Sequence, residues 1–132
     1  MYLVAWEQQE GRLEASLGGR VTVDEMEAFV EDMQALLADI GRQPYLLILD
    51  YGEAKPFDND ASAVLMTFKD FCLATGASMV VSVVQDEKTV VSHTSERLQL
   101  VLEGKEAFVC DANQVTWPEA IRTIVTERRA AA

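Results

Sequence analysis

The stretch between Tyr45 and Val84 constrains the fold most strongly. It contains two apolar runs, 45–49 and 78–84, separated by a loop, a polar cluster and a segment with helical apolar spacing. Runs with so little polar interruption are typical of parallel strands that are covered on both faces. Acceptor side chains at the start of the middle segment favour a helix there, and Gly76 ends it. The sequence therefore predicts a strand–helix–strand unit with an acidic cluster at the N-terminus of its helix.

The remaining segments extend this unit into an alternating α/β domain. The two capping boxes, Thr22 with Glu25 and Thr116 with Glu119, each predict a helix start, and Gly41 ends the first of these helices. The other predicted elements are a hairpin of strands at 2–7 and 12–17, a helix at 96–103 and a strand at 107–110. The polar segment 86–94 is ambiguous, and around His93 its sequence indicates a polar loop. We therefore expect one domain, 1–132, with four helices and a mostly parallel five-stranded sheet that has an antiparallel N-terminal edge strand and right-handed crossovers.

Charge and composition exclude several classes of function. The chain has 22 acidic and 11 basic residues among 132, a net charge of -11. Nucleic acids and anionic membranes both require a positive surface, so neither is an expected partner. The two cysteines, Cys72 and Cys110, are too few for a disulfide framework or a metal site and are expected in the core. No signal peptide or membrane-spanning run is visible, which favours a cytoplasmic protein, and no cofactor or metal is expected.

The element order and the polar cluster resemble the STAS family, the domain of bacterial anti-sigma-factor antagonists and of sulfate-transporter tails. In that family a strand ending in Asp leads to an Asp-Ser-Ser-Gly cluster that opens a helix, followed by Gly and an apolar strand. Here the matching segments are 47–50 for the first strand, 58–61 for the cluster, 74–76 for the glycine and 79–81 for the second strand. The resemblance covers almost the whole chain. It implies a non-enzymatic protein-interaction module whose partner is an anti-sigma factor, a switch-protein kinase or another STAS protein.

The cluster departs from the family pattern at the residue that is phosphorylated. The family's second serine, the target of the anti-sigma kinase, aligns with Asp60; the first serine aligns with Asn59 and the glycine with Ala61. A negative charge is favoured at a helix N-terminus, so Asp60 has the sign and place of a phosphate but carries less charge. We therefore expect a module without the phosphorylation cycle, or one in a permanent phospho-like state. Ser62 remains the phosphorylation candidate of this region, and Asp58 or Asn59 has an alternative role as a plain helix cap.

The predicted partner surface lies on the same helix. Its contact residues are Asp58, Asn59, Asp60, Ser62, Ala63 and Met66. If the apolar stripe of the helix faces the sheet, Ala63, Met66 and Leu73 should face away from it, beside Lys69 and Asp70. The alternative function is binding of a small anion, nucleotide or lipid in a pocket between the loops that follow Asp50 and Val84. The lone His93, in a segment predicted as a polar loop, has no visible acid partner and does not indicate catalysis.

Overall fold

The computed structural model describes residues 1–110, which form a five-stranded sheet and four helices. The strands are β1 (Tyr2–Glu7), β2 (Arg12–Leu17), β3 (Tyr45–Asp50), β4 (Ala77–Val84) and β5 (Glu106–Cys110). They lie in the sheet in the order in which they occur in the chain. β1 pairs antiparallel with β2, and every later neighbour pair is parallel. The predicted fold class and the antiparallel N-terminal edge strand are therefore confirmed.

The helices are α1 (Val23–Ile40), α2 (Asn59–Thr75), α3 (Glu87–Glu96) and α4 (Leu98–Leu102). The side chain of Thr22 accepts a hydrogen bond from the backbone N–H of Glu25, and Gly41 follows the last residue of α1, as predicted. α4 is shorter than the predicted helix at 96–103. The predicted helix opened by Thr116 and Glu119 lies outside the described residues.

All described helices that pack on the sheet lie on one of its faces. Crossovers of one hand that each step one strand in the same direction bring their helices to the same side. The larger core confirms this arrangement, because it joins Phe29 of α1 and Phe68 of α2 to Leu47 of β3 and Val80 of β4. The opposite face carries a separate small apolar cluster around Ile48 and Val81. The alternation along each strand thus decides which side chains meet the helices.

Segment 86–96 differs from the sequence expectation, because α3 is a helix. Its sequence is mostly polar, and Val90 is its only hydrophobic side chain that packs against the larger core. The Asp86 side chain caps the helix by accepting hydrogen bonds from the backbone N–H and the hydroxyl of Thr89, both at 2.7 Å. Because its apolar stripe is weak, apolar periodicity does not identify this helix, although the Asp86 cap is a recognisable start signal.

Candidate functional site

The start of α2 is fixed by Asp58. Its side chain accepts a hydrogen bond from the backbone N–H of Ala61 at 2.8 Å, and its backbone is extended, so Asp58 is the N-cap. The first helical N–H groups have no partner within a helix, and this carboxylate satisfies one of them. Asp58 therefore has a structural role that accounts for its presence, whatever else the cluster does.

The other predicted contact residues do not share one surface. Asn59, Asp60 and Ala63 are exposed, whereas Ser62 and Met66 are half-buried and line a cleft beside the helix. Positions 62, 66 and 69 recur at four- and three-residue spacing, so their side chains lie on one side of α2. The expectation that Met66 faces away from the sheet together with Ala63, beside Lys69, is wrong, because Met66 lines the cleft and Lys69 is buried.

Two further details of that expectation also change. Lys69 is only 1% exposed, and Leu73 packs against the larger core instead of facing away from it. The apolar stripe of α2 is therefore wider than predicted: it includes Leu73 on one side and the aliphatic stem of Lys69 on the other.

The outward side of α2 has an unusual composition for a solvent-facing helix surface. Apart from Asp70, its exposed side chains from position 63 to position 74 are small or apolar, namely Ala63, Thr67, Phe71 and Ala74. Phe71 is 40% exposed. We call this set, with Asp60, the outer α2 face.

The exposed side of α1 is different. It carries a series of carboxylates, Asp24, Glu25, Glu27, Glu31, Asp32 and Asp39. Solvent-facing helix surfaces are normally rich in charge, as α1 is. The outer α2 face therefore stands out as a surface of low charge, with Asp60 within it and Asp70 beside it.

A cleft of about 70 Å³ lies between α2 and α3. α2 packs on β4 and α3 packs on β5, so the space between the two helices is open above the sheet. Aromatic and apolar side chains form most of its wall: Tyr51, Phe57, Leu65, Met66 and Phe108. Ser62, Lys69, His93, Glu96 and Arg97 supply its polar groups. The cleft is therefore an apolar slot with charged groups at defined positions.

Lys69 and Arg97 of the cleft wall, which we call the inner end of the cleft, share a buried carboxylate, Glu106. Glu106 is fully buried, and its Oε1 accepts a hydrogen bond from Nε of Arg97 at 2.6 Å. Nζ of Lys69 lies 3.5 Å from Oε2 of Glu106 and 3.4 Å from the hydroxyl of Tyr51. Arg97 also donates from Nη2 to Asp70 on α2 at 2.8 Å. Glu106 is thus shared by two cations, and the shorter of its two contacts is with Arg97.

Aromatic rings surround the ammonium group of Lys69. Nζ lies 4.9 Å from the ring centre of Phe108 and 5.5 Å from that of Tyr51, within the range of cation–π attraction. His93 lies on α3, not in the predicted loop, and its ring packs at 5.5 Å from Phe108. Its Nδ1 is 3.6 Å from Glu96, an exposed carboxylate. His93 therefore belongs to the cleft wall.

The predicted pocket between the loops after Asp50 and Val84 is bridged by a side chain. Nε2 of Gln85 donates hydrogen bonds to the backbone carbonyls of Tyr51 at 3.2 Å and Ala54 at 2.9 Å. These bonds hold the two loops together. The cleft lies beside this bridge, between the helices that follow the two loops, and shares Tyr51 with it.

Sequence reasoning missed the two cations at the inner end of the cleft, Lys69 and Arg97, and their buried partner Glu106. One signal was available: Ser62, Met66 and Lys69 recur at helical spacing next to the apolar stripe. Glu106 gave no comparable signal, because one carboxylate before an apolar strand is normally interpreted as a solvated strand end. The pairing of these residues depends on strand order and register, which the sequence does not display.

Within residues 1–110, no three His, Cys, Asp or Glu side chains are placed to hold a metal ion together. None of the described helices combines the length and apolarity needed to cross a membrane. In comparisons with known proteins, no family model, curated protein or solved structure matches this chain.

Proposed function

We propose that the chain is a STAS-like interaction module of the cytoplasm that acts by binding a protein partner, without catalysis, through the outer α2 face. The observation that carries this proposal is the composition of that face. It presents Ala63, Thr67, Phe71 and Ala74 to solvent with no charged residue among them. The centres of protein interfaces are depleted in charge and favour aromatic residues, and this surface has no charge among these four residues and exposes Phe71.

The chemistry of the face suggests the kind of partner. Asp60 and Asp70 flank the apolar residues, and the whole chain carries a net charge of -11. A partner with an apolar centre and a basic rim complements such a surface. An anti-sigma factor, a switch-protein kinase or another STAS protein is the partner class that the family resemblance implies. Asp60 would meet it as a fixed negative charge at the position of the family's phosphorylated serine.

The six residues expected from sequence have different roles in this proposal. Asn59, Asp60 and Ala63 are exposed and available for contact. Asp58 would act by capping the helix that presents them, since its side chain is bonded to Ala61. Ser62 and Met66 would lie at the border of the interface, because they turn toward the cleft.

Affinity capture with matched variants tests the proposal. The immobilised chain is compared with Asp60→Lys and Phe71→Ser, which alter the charge and the aromatic group of the outer α2 face. Glu27→Lys on α1 and Val91→Ser on α3 are the controls, since both residues are exposed and lie off that face. Quantitative mass spectrometry of proteins bound from source cells should find a partner retained by both controls and reduced at least about tenfold by each face variant.

The captured partner is then purified and titrated by calorimetry against the same five proteins. The same ranking of affinities is expected with the two components alone. The proposal is contradicted if the face variants bind the partner as tightly as the controls, or if no captured protein distinguishes them.

A further inference from the structure

The cleft between α2 and α3 is a second site, separate from the outer α2 face. We propose that it binds a small organic monoanion, whose carboxylate pairs with Nζ of Lys69 and whose apolar part lies against Phe57 and Met66. This inference does not depend on the proposed protein partner, because the cleft residues lie on another side of α2.

The two cations beside the cleft are not equally well paired. Lys69 is 1% exposed, Arg97 is 11% exposed and Glu106 is fully buried. Arg97 contacts two carboxylates, Glu106 at 2.6 Å and Asp70 at 2.8 Å. Within residues 1–110 Lys69 contacts only one, Glu106, at 3.5 Å. Lys69 is therefore the less well compensated of the two buried cations.

Lys69 is the cation with incomplete coordination. Hydrogen bonds from a cationic N–H group to a carboxylate are normally about 2.7–2.9 Å long, as is the bond from the Arg97 guanidinium to Asp70 at 2.8 Å. The two polar contacts of Lys69 Nζ, with Glu106 and Tyr51, are 3.5 and 3.4 Å. An ammonium has three donors, and burying a charge without close partners is costly. A ligand carboxylate in the cleft would supply the close acceptor that Lys69 lacks.

The size and walls of the cleft define the rest of the ligand. A volume of about 70 Å³ equals the liquid volume of about two water molecules, at about 30 Å³ each. The cleft can therefore enclose the carboxylate and the first carbons of a short acid, with the end of the hydrocarbon part at its mouth. The wall between Phe57 and Phe108 is mostly apolar, which favours a carboxylate with a short hydrocarbon part over inorganic phosphate. An organic cation is disfavoured, because Lys69 and Arg97 already occupy the inner end.

Binding is tested by NMR titration of the ¹⁵N-labelled chain with sodium butyrate. Butyramide, which has the same shape without the charge, and inorganic phosphate, which has charge without the hydrocarbon, are the comparison ligands. Lys69→Met removes the ammonium and keeps the stem, and Met66→Trp fills the slot without changing charge. Lys55→Met, at an exposed lysine, is the matched control.

Butyrate should shift the amide signals of cleft residues saturably, with a dissociation constant on the order of millimolar, the range open to so small a ligand. Butyramide and phosphate should bind the unaltered chain at least about tenfold more weakly than butyrate does. Butyrate should also bind Lys69→Met and Met66→Trp at least about tenfold more weakly, and it should bind Lys55→Met with unchanged affinity. The inference is overturned if butyrate shifts saturate equally in Lys69→Met, if phosphate binds as well as butyrate, or if no saturable shift occurs by about 20 mM butyrate.

Discussion

Neutralising Glu106 should destabilise the protein far more than neutralising Lys69, although the two form an ion pair. Glu106 is fully buried and faces both Lys69 and Arg97, at 3.5 and 2.6 Å. Glu106→Gln leaves these two cations without a buried counter-ion. Removing one partner of a buried ion pair costs about 3–5 kcal/mol. Because Arg97 keeps its bond to Asp70, we expect a loss near the lower end, about 3 kcal/mol in the free energy of unfolding.

Lys69→Met should change the free energy of unfolding much less than Glu106→Gln does. Glu106 keeps its closer partner, Arg97, and the methionine side chain replaces most of the lysine stem. The substitution loses the cation–π contacts with Phe108 and Tyr51 but also removes the cost of burying an ammonium. We expect these effects to leave the free energy of unfolding within about 1 kcal/mol of its original value.

Urea denaturation followed by far-ultraviolet circular dichroism measures the difference. A gap of about 2 kcal/mol between the two variants corresponds to roughly 1 M in the urea midpoint for a chain of this size. Glu103→Gln is the control: Glu103 is exposed, and the substitution should change stability by less than about 0.5 kcal/mol. Equal destabilisation by Glu106→Gln and Lys69→Met would refute the reasoning, because it would mean that Lys69 is fully paired.

Two other predictions concern the N-cap of α2 and the buried thiol of Cys72 near the C-terminal end of the same helix. Asp58→Ala should lower the free energy of unfolding by about 1 kcal/mol in urea denaturation, because the Ala61 N–H loses its acceptor, whereas Asn59→Ala should change it by less than about 0.5 kcal/mol; equal effects would contradict the cap assignment. Burial raises the pKa of Cys72 from 9.0 to about 11, so its contribution to stability is present below pH 9 and is lost as the pH rises toward 11. Iodoacetamide at pH 8.5 should therefore alkylate Cys72 about a hundredfold more slowly in the native protein than in urea. Mass spectrometry of the Cys110→Ala variant measures this rate, and Cys110 in the Cys72→Ala variant provides the partly buried comparison. Similar rates in the native protein and in urea would contradict a protected thiol.

The strand–helix–strand unit could be predicted from sequence because its signals are local. β3 is a continuous apolar run, and Asp58 and Gly76 mark the ends of α2 where the structure has them. α3 could not be assigned by the same reasoning, because tertiary contacts of Val90 and the Asp86 cap compensate for its weak apolar stripe.

The cleft lay beyond sequence analysis for a different reason. Its charged residues, Lys69, Glu96 and Arg97, come from α2, α3 and the position after α3. Their partner Glu106 is brought next to Lys69 only by the pairing of β5 with β4. Charged residues are normally assigned to the surface when a sequence is interpreted, and this expectation fails for Lys69, which is buried in the slot. The acidic cluster was located correctly, but its residues divide between two sides of the helix.

The order of the strands has a consequence for how the chain folds. Because each parallel strand lies beside the one that precedes it in the chain, the sheet can grow from one edge as successive segments become available. Each new crossover unit then docks on an edge that already exists, which keeps the loops closed at each step short. In that order of growth, β5 is the last described strand to pair, and it carries Glu106. Lys69 would then keep its hydration water until β5 pairs with β4. The free-energy cost of dehydrating its ammonium would come late in folding, when most of the core is in place.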